Sequence, residues 1–164
     1  MTQSLPQAAH EHHERILAHV DRMPEMADAL LTAHADDARS EIASLFAFFE
    51  GTLLPHIDAA ERSVYPELER MFQNRHSMRP MRTEHDEIRR LVGEFGTLSA
   101  DVREGRMSLG RSLALRRVMF RLYALLKIHL AEELLYGHMI EHGASVEDEA
   151  ALATAMEHSG ITTC

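Results

Sequence analysis

The chain has 164 residues, with 26 acidic and 17 basic side chains and a formal net charge of −9 when its histidines are neutral. This length suits one domain with a sizeable core, so we treat residues 1–164 as a single domain. The acidic balance argues against a partner with a phosphate backbone, and we expect no nucleic-acid binding. The single cysteine, Cys164, allows neither a disulfide framework nor a thiolate cluster. Nitrogen and oxygen atoms therefore have to hold any metal.

Targeting and membrane signals are absent from the sequence pattern. The N-terminal stretch lacks a basic region followed by an apolar run, and no segment reaches the roughly 18 uncharged apolar residues of a membrane span. We therefore expect a soluble cytoplasmic protein with no membrane partner.

Apolar residues recur at helical spacings of three and four in every long segment, while period-two alternation is almost absent. The first stripe ends near Val20 and is interrupted at Pro24, after which a short second helix begins. The next stripe runs from Ile42 to Val64, and Pro80 is well placed to begin the one that follows. Four long helices with short links predict an all-α protein, an antiparallel up-down four-helix bundle.

The end of the chain adds one more element to the bundle. The third long helix is predicted to end at Glu104 and Gly105, and the last one runs from Leu115 until Gly143 stops it. Ser145 then caps a short acidic tail helix at about residues 145–159.

Each of the four long stripes carries a histidine among its apolar residues: His13, His56, His85 and His129, although His12 fits the spacing of the first stripe equally well. Glu133 follows His129 by four residues, about 400° around an α-helix, so both side chains can reach one ion. Without a shared ion, these buried groups would leave unpaired donors or acceptors at about 1–3 kcal/mol each. The pattern therefore predicts a metal site inside the bundle.

A second copy of the histidine–carboxylate pair is imperfect. His56 is followed by Ala60 at the chelating position, and Glu61 stands one residue later, about 140° away around the helix. Glu61 could reach the site if the helix is locally overwound or bulged, which Gly51 and Pro55 allow.

The remaining histidines have a different expected role. His34 stays open as a ligand. The others are expected to be solvated: His10, His12, His19, His76, His138, His142 and His158.

Four stretches of the sequence resemble the haemerythrin-like (HHE cation-binding) family. They are EHHERIL, LLPHIDAAERSVYPEL, PMRTEHDEIRRL and LYALLKIHLAEELLY, and together they span nearly the whole chain. The resemblance implies a non-haem di-iron centre in a four-helix bundle. It also implies a role in oxygen, nitric oxide or peroxide chemistry, or in iron handling. The implied ligand positions are His13, His56, His85, His129 and Glu133.

The stretch HVDRMPEM and the position of His34 are similar to the iron–sulfur-centre repair branch of that family. The sequence lacks the short N-terminal cysteine-bearing domain typical of that branch. Direct repair activity is therefore not expected.

Two residues depart from the family pattern. Ala60 stands where the family has a bridging glutamate, and Met81 stands where oxygen-carrying members have a second histidine on the third helix. A classical reversible oxygen carrier is therefore not expected. The site suits either a single iron or zinc ion, or an unsymmetrical pair in which Glu61, Glu132 or His34 replaces the missing ligands.

Four kinds of function stay open at this point. The first is a non-haem iron protein that senses or reacts with a small diatomic ligand or peroxide. The second is a bundle with a structural zinc or other single metal. The third is a bundle that binds haem or another cofactor instead. A pure interaction scaffold is a fourth possibility. The sequence does not decide whether the protein is an enzyme, nor its oligomeric state.

Overall fold

The computed structural model describes residues 5–32, 35–106, 108–143 and 145–159, and the described residues are helices and short connections. Two π-helical turns, Phe49–Leu53 and Ala60–Val64, join three consecutive α-helices into one continuous rod over residues 35–71. The α-helices are α1 Leu5–Val20, α2 Met23–Ala29, α3 Ala35–Phe48, α4 Leu54–Ala59, α5 Tyr65–Met71, α6 Arg79–Arg103, α7 Leu109–Gly143 and α8 Val146–Ser159.

Four members make up the bundle: α1 with α2, the rod, α6, and α7. Helix α6 packs against both α7 and α3, while α1 and α2 lie along α7 and α2 also contacts α3. Each member therefore has two neighbours, and their apolar stripes meet in the middle. The predicted all-α bundle with an additional C-terminal helix is confirmed.

Proline and glycine mark several of the helix boundaries. Pro24 lies in the first turn of α2 and Pro80 in the first turn of α6, where the missing N–H costs nothing. Helix α6 ends at Arg103 with Glu104 as its C-cap, and the next residue, Gly105, has a left-handed φ of 74°. A Cβ atom there would also lie 3.0 Å from Nη2 of Arg39, so glycine suits both the backbone and the space.

The main core fills the bundle between its four members. Phe49 of the rod and Phe95 of α6 are fully buried and meet edge to face, with ring centroids 5.1 Å apart. Burial of such large side chains supplies most of the stability of a bundle.

A second apolar cluster lies beyond the main core, where α8 packs on α5 and the second π-helical turn. Ser145 begins α8 as its N-cap, accepting a hydrogen bond of 3.2 Å from the N–H of Asp148. The buried members of this cluster are Ala59, Ala60, Tyr65, Leu68, Met78, Met81, Leu152 and Met156. None of the described helices is long and apolar enough to cross a membrane.

Candidate metal centre

Every member of the bundle sends at least one histidine into its interior. His56 of α4, His85 of α6 and His129 of α7 are all 5% exposed or less. The side chain of His13, from α1, is 12% exposed, and that of Glu133, from α7, is 8% exposed. Helical periodicity places these groups on the buried stripes, so the rings converge without any loop.

Glu133 stands between two pairs of histidines. Its Oε2 lies 3.1 Å from Nε2 of His13 and 3.2 Å from Nε2 of His56. Its Oε1 lies 3.5 Å from Nε2 of His129, whose Nε2 is in turn 3.0 Å from Nε2 of His85. The chain thus forms two groups with the donor atoms needed for a cation, and they share one carboxylate.

These spacings match those of ligands around a metal ion. Atoms about 2.0–2.2 Å from one ion lie about 2.8–3.6 Å from each other in tetrahedral or octahedral geometry. The distances from Glu133 to His13, His56 and His129 all fall in that range. We call His13, His56 and Glu133 the first group, and His85, His129 and Glu133 the second group.

The outer nitrogens of the second group are held by two carboxylates. Nδ1 of His85 lies 2.7 Å from Glu61, and Nδ1 of His129 lies 2.9 Å from Glu84. An ionised carboxylate only accepts hydrogen bonds, so each Nδ1 carries the hydrogen and donates it. If neither Nε2 carried a hydrogen, the two Nε2 lone pairs would face each other across 3.0 Å. Two facing lone pairs need a positive ion beside them, and carboxylate–histidine pairs are typical supports of metal ligands.

The first group has a histidine in the corresponding outer position. Nε2 of His12 lies 3.0 Å from Nδ1 of His56, and Arg15 lies 3.5 Å from the other ring nitrogen of His12. Because Nε2 of His56 faces Glu133, the contact with His12 fixes the orientation of the ring from behind. Nδ1 of His13 has no hydrogen-bond partner among the described residues.

The ionisation of these groups favours a cation. Burial lowers the pKa of His12 and of His85 to about 4, so both imidazoles are neutral at neutral pH. Burial alone would raise the pKa of Glu133, but the neighbouring His56 and hydrogen bonds from His129, His13 and His56 hold it well below its usual value. The shared carboxylate is therefore an anion inside the bundle.

The pKa of His129 is shifted in the opposite direction to that of His12 and His85. Burial would lower the pKa of its imidazole, yet hydrogen bonds and charges from Glu133 and Glu84 raise it. A proton on Nε2 of His129 would provide the positive charge that the two facing Nε2 atoms need.

Tyr65 adds an oxygen atom to the second group. Its hydroxyl donates to Oε1 of Glu133 over 3.1 Å and lies 3.2 Å from Nε2 of His85. The tyrosine ring is 3% exposed and stacks on the ring of His85, with an interplanar angle of 10°. Burial and the Glu133 carboxylate raise the pKa of this phenol, so its hydroxyl keeps its proton at neutral pH.

The structure brings five of the seven predicted ligands into the two groups: His13, His56, His85, His129 and Glu133. Glu61 lies on the outer side of His85 and also accepts a hydrogen bond of 3.0 Å from Arg89. Glu132, considered as a replacement, is in neither group. His34 lies outside the described residues.

Sequence analysis gives no role in the site to three residues that the structure places there. The expectation that His12 is solvated is wrong, because its side chain is buried at 2% exposure against His56. Glu84 stands directly before His85 in the chain, yet it supports His129 on the opposite helix. Tyr65 occurs in the stretch LLPHIDAAERSVYPEL, which resembles the family, but the resemblance implies no ligand role for it. No local signal in the sequence pairs any of these residues with its partner.

Comparison with protein families also indicates a cation-binding protein. Residues 6–133 match the family model described as Hemerythrin HHE cation binding domain. The chain therefore belongs to the haemerythrin HHE cation-binding family. Neither a curated protein nor a solved structure matches it significantly.

Proposed function

We propose that this protein holds two non-haem iron ions, one in each histidine group, and uses them to sense or react with dioxygen, nitric oxide or a peroxide. The observation that carries the proposal is the position of Glu133. Its two oxygens face different histidine pairs, at 3.1–3.2 Å for one and 3.5 Å for the other. One carboxylate placed in this way can bridge two ions, as in other dinuclear helical bundles.

The chain's own residues define how such ions would be held. His13 and His56 would bind one ion, His85 and His129 the other, and Glu133 both. An iron pair supplies one-electron chemistry and open positions for a small ligand. Burial of His56, His85 and His129 restricts the access of bulk water, which strengthens the charge interactions at the site.

The donor set favours a reactive pair over a structural zinc ion. Structural zinc sites are closed by four ligands, commonly including thiolates. Each group here provides two imidazole nitrogens and one oxygen of the carboxylate that the groups share, which leaves positions for an exogenous ligand. Zinc stays the alternative if elemental analysis finds it in place of iron.

A haem is a poorer fit to the same histidines. Two axial imidazoles need their Nε2 atoms about 4 Å apart, on opposite faces of a wide macrocycle. Nε2 of His85 and Nε2 of His129 are only 3.0 Å apart. We also keep iron–sulfur-centre repair outside the proposal, because that similarity depends on the stretch HVDRMPEM and on His34.

Metal counting tests the proposal. The purified protein, made metal-free and then loaded with iron(II) without oxygen, should contain two irons per chain by elemental analysis. Its absorption spectrum should then change on exposure to nitric oxide, oxygen or hydrogen peroxide. A content of one ion or none, or a protein purified with zinc that does not accept iron, would overturn the proposal.

Iron content in single variants tests whether each histidine group binds its own ion. His13→Ala should keep the ion of the second group, and His129→Ala should keep the ion of the first group, so each should retain about one iron. His76→Ala changes an exposed histidine in the connection before α6 and should retain two. Equal metal contents in all three variants would contradict the assignment of the groups.

A further inference from the structure

We propose that Tyr65 is a protein ligand to the ion of the second group, binding through its phenolate oxygen. The inference rests on the proposed iron site and names a residue of that site. Ion binding at Tyr65 would release the phenolic proton, since metal ligation and proton release are coupled.

The first support is the position of the hydroxyl among the donor atoms. It lies 3.2 Å from Nε2 of His85 and 3.1 Å from Oε1 of Glu133. Both distances fall within the range of about 2.8–3.6 Å between ligands of one ion. The hydroxyl, the two imidazole nitrogens and the carboxylate oxygen therefore form a four-atom donor set.

The second support is the helix geometry that brings Tyr65 there. Nine residues separate it from His56, so on a regular α-helix the two side chains would lie about half a turn apart. The π-helical turn Ala60–Val64 adds a residue, which rotates every later side chain by about 100°. The N–H of Tyr65 bonds to the carbonyl of Ala60, five residues back, and closes this wide turn. Such π-bulges are frequent at functional sites.

The third support is the surroundings of the hydroxyl. Tyr65 belongs to the second apolar cluster, together with Ala60 and Met81. Among the described buried members of that cluster, the phenol is the only side chain with an oxygen atom. Ala60 provides no ligand atom, and a methionine thioether is a soft ligand that suits iron(III) poorly. Tyr65 thus provides a hard ligand beside the two positions that depart from the family pattern.

The chemistry of a phenolate gives this arrangement a consequence. A phenolate is an anionic oxygen ligand, and, like the Glu133 carboxylate, it is attracted more strongly to the triple charge of iron(III) than to the double charge of iron(II). The ion of the second group is therefore held preferentially in the ferric state. This preference suits a site that senses or consumes an oxidant better than one that binds and releases dioxygen unchanged.

Visible absorption tests the ligand directly, because an iron(III) phenolate has a charge-transfer band that imidazole and carboxylate ligands lack. The iron-loaded, oxidised protein should show this band, and Tyr65→Phe should lose it while keeping its iron. Tyr123→Phe and Tyr136→Phe are matched controls, since they alter the other two tyrosines of the chain, and both should keep the band. The reduction potential of the Tyr65→Phe protein should also rise.

Resonance Raman spectroscopy of the unaltered protein gives a test that needs no variant. Excitation within the band should enhance the ring vibrations of a coordinated tyrosine. A protein that binds iron but shows neither these vibrations nor a spectral difference from Tyr65→Phe would overturn the ligand role and leave the iron site standing. A protein that takes up no iron would overturn the proposed function and this inference together.

Discussion

His12 and His56 contact each other through their ring nitrogens, with Nε2 of His12 3.0 Å from Nδ1 of His56. The contact joins α1 to the rod directly behind the first group. A histidine whose outer nitrogen is held in this way presents its inner nitrogen in a fixed direction, toward Glu133.

His12→Ala should therefore weaken binding of the ion in the first group by about 10- to 100-fold, as loss of an outer hydrogen-bond partner typically does. Binding at the second group should not change. His19→Ala is the control, since His19 lies on the same helix but is exposed and stacks on Phe48. Competition with a chromophoric chelator measures both affinities, and equal results for the two variants would contradict the positioning role.

Glu84→Gln should weaken binding of the ion in the second group, because the charged partner of His129 Nδ1 becomes neutral. An effect of about 10-fold or more is expected for a supporting carboxylate. Glu87→Gln changes a more exposed carboxylate one turn away on α6 that pairs with Arg90 and Arg121. It should leave the affinity unaltered. A titration in which both variants bind iron equally well would show that Glu84 does not support the site.

Glu133→Gln should weaken the binding of both ions, since this carboxylate belongs to both groups. Its neighbour Glu132 gives a matched control, because Glu132→Gln makes the same change at a residue outside both groups. Iron content by elemental analysis should fall well below two per chain in the first variant and stay at two in the second. Retention of two tightly bound irons by Glu133→Gln would rule out the shared carboxylate.

The metal-free protein should lose stability as the pH falls from about 6.5 to 4. Burial lowers the pKa of His12 and His85 to about 4, so the unfolded chain takes up these two protons first. The slope approaches about 2–3 kcal/mol per pH unit for two protons. The raised pKa of His129 does not oppose this loss, since its stabilising effect is already complete below the pKa of unfolded histidine.

Urea unfolding at several pH values with a chelator present measures this dependence. The variant His12→Gln removes one of the two titrating groups and should show about half the slope. Stability that does not change between pH 6.5 and 4 would show that the two imidazoles are not held neutral by burial.

Leu152→Ala should destabilise the protein by about 2–3 kcal/mol, because this side chain of α8 is 6% exposed within the second apolar cluster. Leu135→Ala is the control: Leu135 of α7 is 60% exposed, and its loss should change stability by no more than about 0.5 kcal/mol. Thermal or urea unfolding compares the two. A negligible effect of Leu152→Ala would mean that α8 adds little to the fold.

The bundle could be predicted from the sequence because helical periodicity is a local property. The stripes, the breaks at Pro24 and Gly105 and the inward histidines all follow from spacing along one helix. The choice between His12 and His13 could not be made from spacing, because adjacent residues lie only 100° apart on a helix. In the structure both side chains point inward.

The rest of the site depends on contacts between helices. Glu84 supports a histidine 45 residues away on α7, and Glu61 supports one 24 residues away on α6. Tyr65 reaches Glu133 through a π-helical turn whose position no local residue pattern fixes. Spacing rules that assume a regular α-helix therefore find the inner histidines and miss the groups that hold them.

Because the π-helical turn Ala60–Val64 contains an extra residue, spacing along the sequence does not by itself give the direction of the later side chains on the rod. A single insertion or deletion there would change which later side chains face the two groups, while every amino acid outside the turn stayed the same. Exchange of one kind of ligand for another therefore does not need a substitution at a ligand position. In this bundle, the chemistry offered to a metal depends on helix register as much as on residue identity.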